Sequence, residues 1–295
     1  MHNFQYREPE TLEEALALLG ELGEEAKVVA GGTALVIMLN QRLLMPSHLI
    51  SLRKVQGIDQ IESSEEALQL GALATHRAVE TSPVVQEQSP VLAQTYAQVA
   101  TLRIRNMATV GGSLAHADPN QDPPVTLMAL DARVGLASAD GSREVPLDEF
   151  FTDYYETVVR PDELVIRVLV PRPAPHTGSA YVKFLPRTSE DYGTVGVAAR
   201  VSLEPDSGVC QDCRLVLGGV GSTPLRAREA EDLLKGQKST PELLQEVGAA
   251  ARQLTDPVSD CRGSDRYKRA MTGVFVGRAI DQAWERALAW EHQNP

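Results

Sequence analysis

Cysteine is scarce in this chain of 295 residues: there are three, so a disulfide framework is excluded. Two of them form one CxxC, Cys210-Gln211-Asp212-Cys213, without a second pair at zinc spacing, and the plain reading is a reduced thiol pair on a strand edge. Basic residues are outnumbered, 28 Lys plus Arg against 40 Asp plus Glu, for a net charge of -12. The short clusters Arg103/Arg105 and Arg262/Arg266/Lys268/Arg269 are diluted by acids or apolar residues, so no nucleic-acid partner is expected. No run approaches the roughly 18 uninterrupted apolar residues of a membrane span, and the opening MHNFQYREPE lacks an apolar signal core. A soluble protein of the reducing cytoplasm is the expectation. Also missing are GxSxG, HExxH, GxxxxGK[ST] and GxGxxG, which leaves hydrolase, metalloprotease, nucleoside-triphosphatase and nicotinamide-Rossmann readings without support.

What remains is an ordered alternation of elements. Thr11-Leu12-Glu13-Glu14 is a capping box, and Leu12, Ala15, Leu16 and Leu19 then share one helix face closed near Gly20. Residues 27–30 read as a strand, 35–44 as a helix stopped before Pro46, and 48–52 as another strand, so the first 55 residues form an α/β unit. Residues 67–74 alternate like a strand, 90–102 and 124–130 have helical spacing, 133–146 is a hairpin signal around Asp140-Gly141, and 164–170 is a strand. The Pro-rich stretch 171–175 cannot continue a sheet and marks a boundary. Beyond it, strands at 180–184, 193–203 and 213–220 precede helices at 242–254 and after the Ser264 cap, a pattern for helices covering one side of a sheet.

Two Gly-Gly pairs that are followed directly by a hydroxyl residue punctuate this pattern, in VVAGGTAL (28–35) and in NMATVGGSLAHADPNQD (106–122). Glycine permits positive φ and close backbone approach, and successive N–H groups make an anion nest, so two converging nests suit the pyrophosphate of a dinucleotide. Alone, each pair also fits ordinary loop punctuation. Asp118 and Asp122 follow the second pair and are placed to accept from sugar or ribityl hydroxyls. His116 lacks a partner at metal-ligand spacing, so its plain role is to hydrogen-bond loop backbone.

Taken together, these residues resemble the FAD-binding medium subunit, or middle FAD domain, of the molybdenum hydroxylases, the group of carbon monoxide dehydrogenases and xanthine dehydrogenases. The likeness rests on Ala30-Gly31-Gly32-Thr33, Gly71-Ala72-Leu73-Ala74-Thr75, Ile104-Arg105-Asn106, and Thr109 through Pro119 with Asp122. It continues in Lys183-Phe184, Arg187, Asp191-Tyr192, and Ser259-Asp260-Cys261-Arg262-Gly263-Ser264 with Tyr267-Lys268-Arg269. These matches follow the family's order over nearly the whole chain.

The resemblance implies an α+β protein: a PCMH-type FAD-binding domain over 1–172, made of two α/β subdomains (about 1–55 and 56–172), then a smaller C-terminal α+β flavoprotein domain over 178–290. It implies FAD held by Val29, Ala30, Gly31, Gly32, Thr33, Ala34 and Leu35, and by Thr109, Gly111, Gly112 and Ser113, around the pyrophosphate. Asp122 would accept from ribityl or ribose hydroxyls, Lys183 would stand near the flavin, Tyr192 would stack at the isoalloxazine, and Val165 would pack against the ring. No catalytic side chain and no metal site are expected, because the cofactor carries the chemistry.

The implied role is an electron relay. A large molybdopterin-binding subunit and a small subunit with two [2Fe-2S] clusters would be partners, in a dimer of heterotrimers, and FAD would pass electrons to an external acceptor. Ala34, Ala108 and Gly193 depart from the family's common residues, and the cysteine-rich insertion of benzoyl-CoA-type reductases is missing. An FAD-free scaffold or assembly protein of the same fold is the alternative. A vanillyl-alcohol-type oxidase would carry a larger substrate domain and often a covalent flavin link, neither of which is signalled.

Overall fold

A computed structural model describes residues 3–185, 188 and 190–290; Arg187 lies outside the described residues. The chain opens with β1 (Gln5–Arg7), α1 (Leu12–Leu22), β2 (Ala26–Val29), α2 (Leu35–Asn40) and β3 (His48–Ser51), whose strands form a parallel sheet in the order β1-β3-β2. Thr11 caps α1 by accepting from the Glu14 N–H at 3.1 Å, but the Glu14 carboxylate accepts from Glu10 N–H rather than from the cap residue's own amide. The helix runs through Gly20 and ends at Gly23, which takes the positive φ of 51° that the last turn needs. Likewise α2 stops at Asn40 rather than near residue 44, because Arg42 turns to φ 59° and breaks the spiral. Ala15, Leu16 and Leu19 bury against Ile50 and Leu52, and the cluster continues to Ala137 and Leu164 of the next sheet.

Two strands follow, β4 (Ile61–Ser63) and β5 (Ala67–Gly71), and then six helices: α3 (His76–Thr81), α4 (Pro83–Gln88), α5 (Pro90–Ala97), α6 (Leu102–Arg105), α7 (Val110–His116) and α8 (Asp122–Ala129). After these come the hairpin β6 (Arg133–Ser138) and β7 (Gly141–Pro146), the small pair β8 (Phe151–Asp153) and β9 (Glu156–Thr157), and β10 (Leu164–Pro171). The second sheet is antiparallel, ordered β4-β5-β10-β6-β7. The helix expected over 90–102 ends already at Ala97; Ala100 then turns to φ 41° before α6, and the carbonyls of Gln98 and Val99 accept from side-chain donors.

The last part comprises β11 (Thr177–Phe184), β12 (Val195–Leu203), β13 (Cys210–Gly218) and β14 (Leu225–Arg226), an antiparallel sheet in that order, then α9 (Arg228–Leu234), α10 (Pro241–Gln253) and α11 (Asp265–Leu288). The helices cover one face, with Phe275, Ile280 and Trp284 in a core that includes Val197, Leu215 and Leu217. Cys210 and Cys213 are free thiols buried in this core, and burial raises Cys210 to about 11, so neither is a ready nucleophile. The other face receives α8: Tyr181, Ala198 and Val216 pack with Val125, and a Cβ on Gly218 would lie 2.4 Å from a Val125 methyl. Among the described residues, no helix is long and apolar enough to cross a membrane.

His76, the first residue of α3, is buried edge-to-face against Tyr96 with ring centroids 5.0 Å apart. Burial lowers its pKa from 6.5 to about 4, the Thr109 backbone opposing and the Arg105 charge reinforcing the shift. The unfolded chain therefore binds this proton near pH 6.5 and the folded chain only near pH 4, so stability is whole above pH 6.5 and falls as pH falls between the two values. Urea titrations at pH 7 and pH 4 should show His76→Phe losing about 3 kcal/mol less than the natural chain over that interval. Equal losses would mean that His76 does not control the acid limb.

Candidate functional site

The two Gly-Gly turns, far apart in sequence, meet. A Cβ on Gly31 would lie 1.8 Å from the Met107 carbonyl oxygen, and one on Gly112 would stand 3.5 Å from the Ala30 methyl. The first turn runs from β2 into α2 with Gly32 at φ 71°. Its first helical bond is Val36 N–H to Gly32 carbonyl, so the N–H groups of Thr33, Ala34 and Leu35 have no intrahelical acceptor. These residues are half-buried, at the rim where the turns touch.

The second turn is built differently. Thr109 caps α7 by accepting from Gly112 N–H, Val110 N–H donates to Ala74, Gly111 N–H donates to Ala72, and Ser113 N–H donates to Thr109. Its glycines serve packing, because a Cβ on Gly111 would stand 2.6 Å from that of Ala72. The expectation that this turn offers a nest of free amides is corrected: those amides are engaged, and the Ser113 hydroxyl bonds Gln121. What it presents is the Thr109 hydroxyl and a close wall for the first turn.

Asp122 and Lys183 come together in the seam between α8 and β11. Both side chains are buried; Lys183 Nζ donates to Asp122 Oδ2 at 2.8 Å and to the Gln98 carbonyl at 3.0 Å, and the Tyr181 hydroxyl donates to Asp122 Oδ1 at 2.5 Å. Burial raises the Asp122 carboxyl, while the Lys183 charge and the two hydrogen bonds pull it back down. Val165, on β10, is buried in the core of the second sheet.

The far end of α7 meets the loop after β11. His116 packs against Tyr155 with ring centroids 5.2 Å apart, and Tyr155 N–H donates to the Ala117 carbonyl. Tyr192 is half-exposed, and burial, with the nearby Asp118 carboxylate reinforcing it, raises the phenol well above its usual value. The Arg262 guanidinium lies over its ring, 5.2 Å from the centroid. Burial lowers His116, with Asp118 opposing, so the imidazole is neutral near pH 7 and serves to pack the loop.

Comparison with known proteins decides the family. Residues 2–173 match the family described as the FAD binding domain in molybdopterin dehydrogenase, and residues 180–283 match the CO dehydrogenase flavoprotein C-terminal domain. The chain belongs to the FAD-binding medium subunits of the molybdenum hydroxylases. It is 36% identical to the 6-hydroxypseudooxynicotine dehydrogenase complex subunit alpha of Paenarthrobacter nicotinovorans, over 97% of this chain and 96% of that one. It is 35% identical to the carbon monoxide dehydrogenase medium chain of Hydrogenophaga pseudoflava, over 96% and 98% of the two chains. A solved structure of carbon monoxide dehydrogenase from that organism, lacking the Mo-pyranopterin moiety, superposes with a TM-score of 0.92 over 96% of this chain and 98% of the other, at 37% identity.

As a medium subunit of this family, the chain places residues 29–35 and 109–113 side by side, and Tyr192 at the opposite end of α7. Asp122 and Lys183 sit together in the seam, and Val165 lies in the core. Asp118, expected to accept from sugar or ribityl hydroxyls, instead accepts from Asn120 beside Tyr192. Two residues at the Tyr192 end were not singled out as site residues by sequence. Arg262 lay inside a matched motif, which could have flagged it. Tyr155 had no sequence signal; only its left-handed φ of 58°, rare for an aromatic residue, marks it.

The contact of the two turns is testable without cofactor. Gly31→Ala should cost about 1–3 kcal/mol in urea unfolding, since its methyl collides with backbone that cannot rotate away. Gly20→Ala, in open space within α1, should be neutral or stabilising by up to about 1 kcal/mol. Similar values for both would show that the turns are not in contact.

Proposed function

We propose that the chain is the FAD-carrying electron-transfer subunit of a molybdenum-containing hydroxylase or dehydrogenase, relaying electrons from [2Fe-2S] clusters of a small partner to an external acceptor. A large molybdopterin-binding subunit completes the assembly, as a dimer of heterotrimers in the cytoplasm. Residues 1–172 form the FAD-binding domain and 178–290 the C-terminal flavoprotein domain.

The observation that carries this reading is α7. Its glycine end touches the Ala30-Gly31-Gly32 turn, and its His116 end leads into Asp118 and Tyr192. Seven residues at about 1.5 Å each separate the ends by roughly 10 Å. One helix thus lies between a phosphate-type turn and a half-exposed aromatic ring, a spacing suited to the diphosphate and the ring of one flavin. The residues fit FAD at both ends: a left-handed glycine with three amides that α2 does not use, and a phenol held at the rim.

Val29 through Leu35 hold the pyrophosphate through backbone N–H groups and the Thr33 hydroxyl. Thr109, Gly111, Gly112 and Ser113 form the opposing wall. Asp122 and Lys183 supply the polar floor of the seam, Val165 supplies apolar backing, and Tyr192 controls access to the ring. FAD, when bound, supplies the redox chemistry, taking electrons singly and releasing them in pairs. The relatives support a relay: one acts in a complex named for 6-hydroxypseudooxynicotine and another in one named for carbon monoxide, yet each aligns over nearly all of this chain. A subunit common to such different substrates is not the one that reads them.

The engaged amides of the second turn favour one rival, an FAD-free scaffold. Purified protein should be yellow, with flavin absorbance equimolar to the chain; colourless protein that stays empty after incubation with FAD would establish the scaffold instead. Gly32→Asp, which sets a carboxylate in the first turn, should lower FAD affinity by at least about tenfold. Tyr192→Ala should keep its FAD but change the rate of flavin reoxidation by the acceptor, and an unchanged rate would remove Tyr192 from the ring.

A further inference from the structure

Tyr192 is restrained from several directions at once. Its own N–H donates to Asp191 Oδ1 at 2.7 Å, and the same oxygen accepts from Arg262 Nη2 at 3.2 Å. Arg262 also donates through Nη1 to Asp260 Oδ2 at 3.2 Å and through its backbone N–H to Asp260 Oδ1 at 2.8 Å. Its carbonyl accepts from the Thr194 hydroxyl at 3.3 Å, which ties the 259–264 loop to the start of β12. Behind it, Asp260 is paired with the buried Lys268 of α11 at 3.0 Å, and Lys268 donates onward to the Val258 carbonyl. The guanidinium plane is therefore fixed before it meets the ring. Across the seam, Asp118 is fixed as well, because its Oδ1 accepts from both the N–H and the side-chain amide of Asn120 at 3.0 Å.

We propose that Arg262 and Asp118 are positioning residues that clamp Tyr192, the guanidinium lying over its ring face and the carboxylate standing near its hydroxyl, and so set the orientation in which it meets the cofactor. The clamp joins the two halves of the chain: Asp118 follows α7, whereas Tyr192 and Arg262 belong to the C-terminal sheet and its helices. A guanidinium over an aromatic face attracts the ring quadrupole and holds the ring against it, and a carboxylate near the hydroxyl disfavours a ring that turns toward solvent as a phenolate. Arg262 is suited to this because its planar fork reaches Asp191 and Asp260 while its guanidinium carbon lies over the ring; a lysine offers a point charge only. The link from the clamp to the flavin rests on the function proposed above.

Two measurements on the full chain keep the clamp and that link distinguishable. In protein carrying 13C-labelled tyrosine, the Tyr192 ring resonance, identified by its loss in Tyr192→Phe, should move toward the position of an exposed tyrosine in Arg262→Met and in Asp118→Ala. Arg262→Lys should recover part of the shift, and the other tyrosines away from this loop should stay in place. Losing the stacked cation should shift the population of the held orientation by about two- to fivefold. A Tyr192 resonance unchanged in both variants would overturn the clamp. In FAD-loaded protein, Tyr192→Ala should raise flavin fluorescence by removing a stacked quencher, and Arg262→Met should raise it to a smaller extent. Should Tyr192→Ala leave fluorescence unaltered, the cofactor reading fails while the resonance test still decides the clamp; should it rise with Arg262→Met unchanged, the clamp fails and the cofactor reading stands.

Discussion

A carboxylate and an ammonium group buried together hold this molecule's two parts in register. Asp122 and Lys183 lie in the seam, and each would be costly to bury alone, since removing one partner of such a pair typically costs about 3–5 kcal/mol. The Tyr181 hydroxyl and the Gln98 carbonyl complete their hydrogen bonds, so the cluster admits little freedom in how α8 lies on the C-terminal sheet. Val125 against Gly218, Gly219 N–H on the Pro119 carbonyl, and Asp131 paired with Arg200 and Arg214 extend the same seam outward. The Tyr192 end of the site inherits its geometry from this docking, because Asp118 comes from one side and Tyr192 from the other.

Much of this was legible in sequence where local chemistry decides. The β2-to-α2 turn, the 133–146 hairpin, the Ser264 cap and the strand-then-helix order of the last hundred-odd residues were readable from caps, turns and periodicity. Helix ends were less legible: Gly20 looked like a stop, yet the left-handed cap falls at Gly23, and nothing local to residues 41–44 announced Arg42's positive φ. Composition likewise gave no sign that 90–102 leaves the helix after Ala97 and turns at Ala100. Tertiary demand, in the form of Lys183 reaching the Gln98 carbonyl and Arg105 reaching those of Val99 and Ala100, stabilises that irregular turn.

The site shows the same division. The Gly-Gly pairs were recognisable as turns, but the reason for the second pair was not, since a glycine that opens a nest and one that admits a neighbour's methyl look alike in sequence. Gly111 is of the second kind. Asp122 and Lys183 were recognisable through the family likeness, whereas their mutual pairing depends on how α8 packs on the C-terminal sheet, which no local pattern encodes. Arg262 stood within a matched motif, and only the folded loop shows what its guanidinium covers.

The contacts that bring the separate parts of the site together are long in sequence. The Lys183–Asp122 bond spans 61 residues, and the Arg262–Asp191 bond spans 71. Closing such loops must be offset by contacts that form together, and topologies rich in them fold slowly. Closing the cradle depends on these distant contacts, and a ligand that binds only the finished state adds stability to them by mass action. Supply of the cofactor thus acts on the yield of folded chain as well as on its redox capacity.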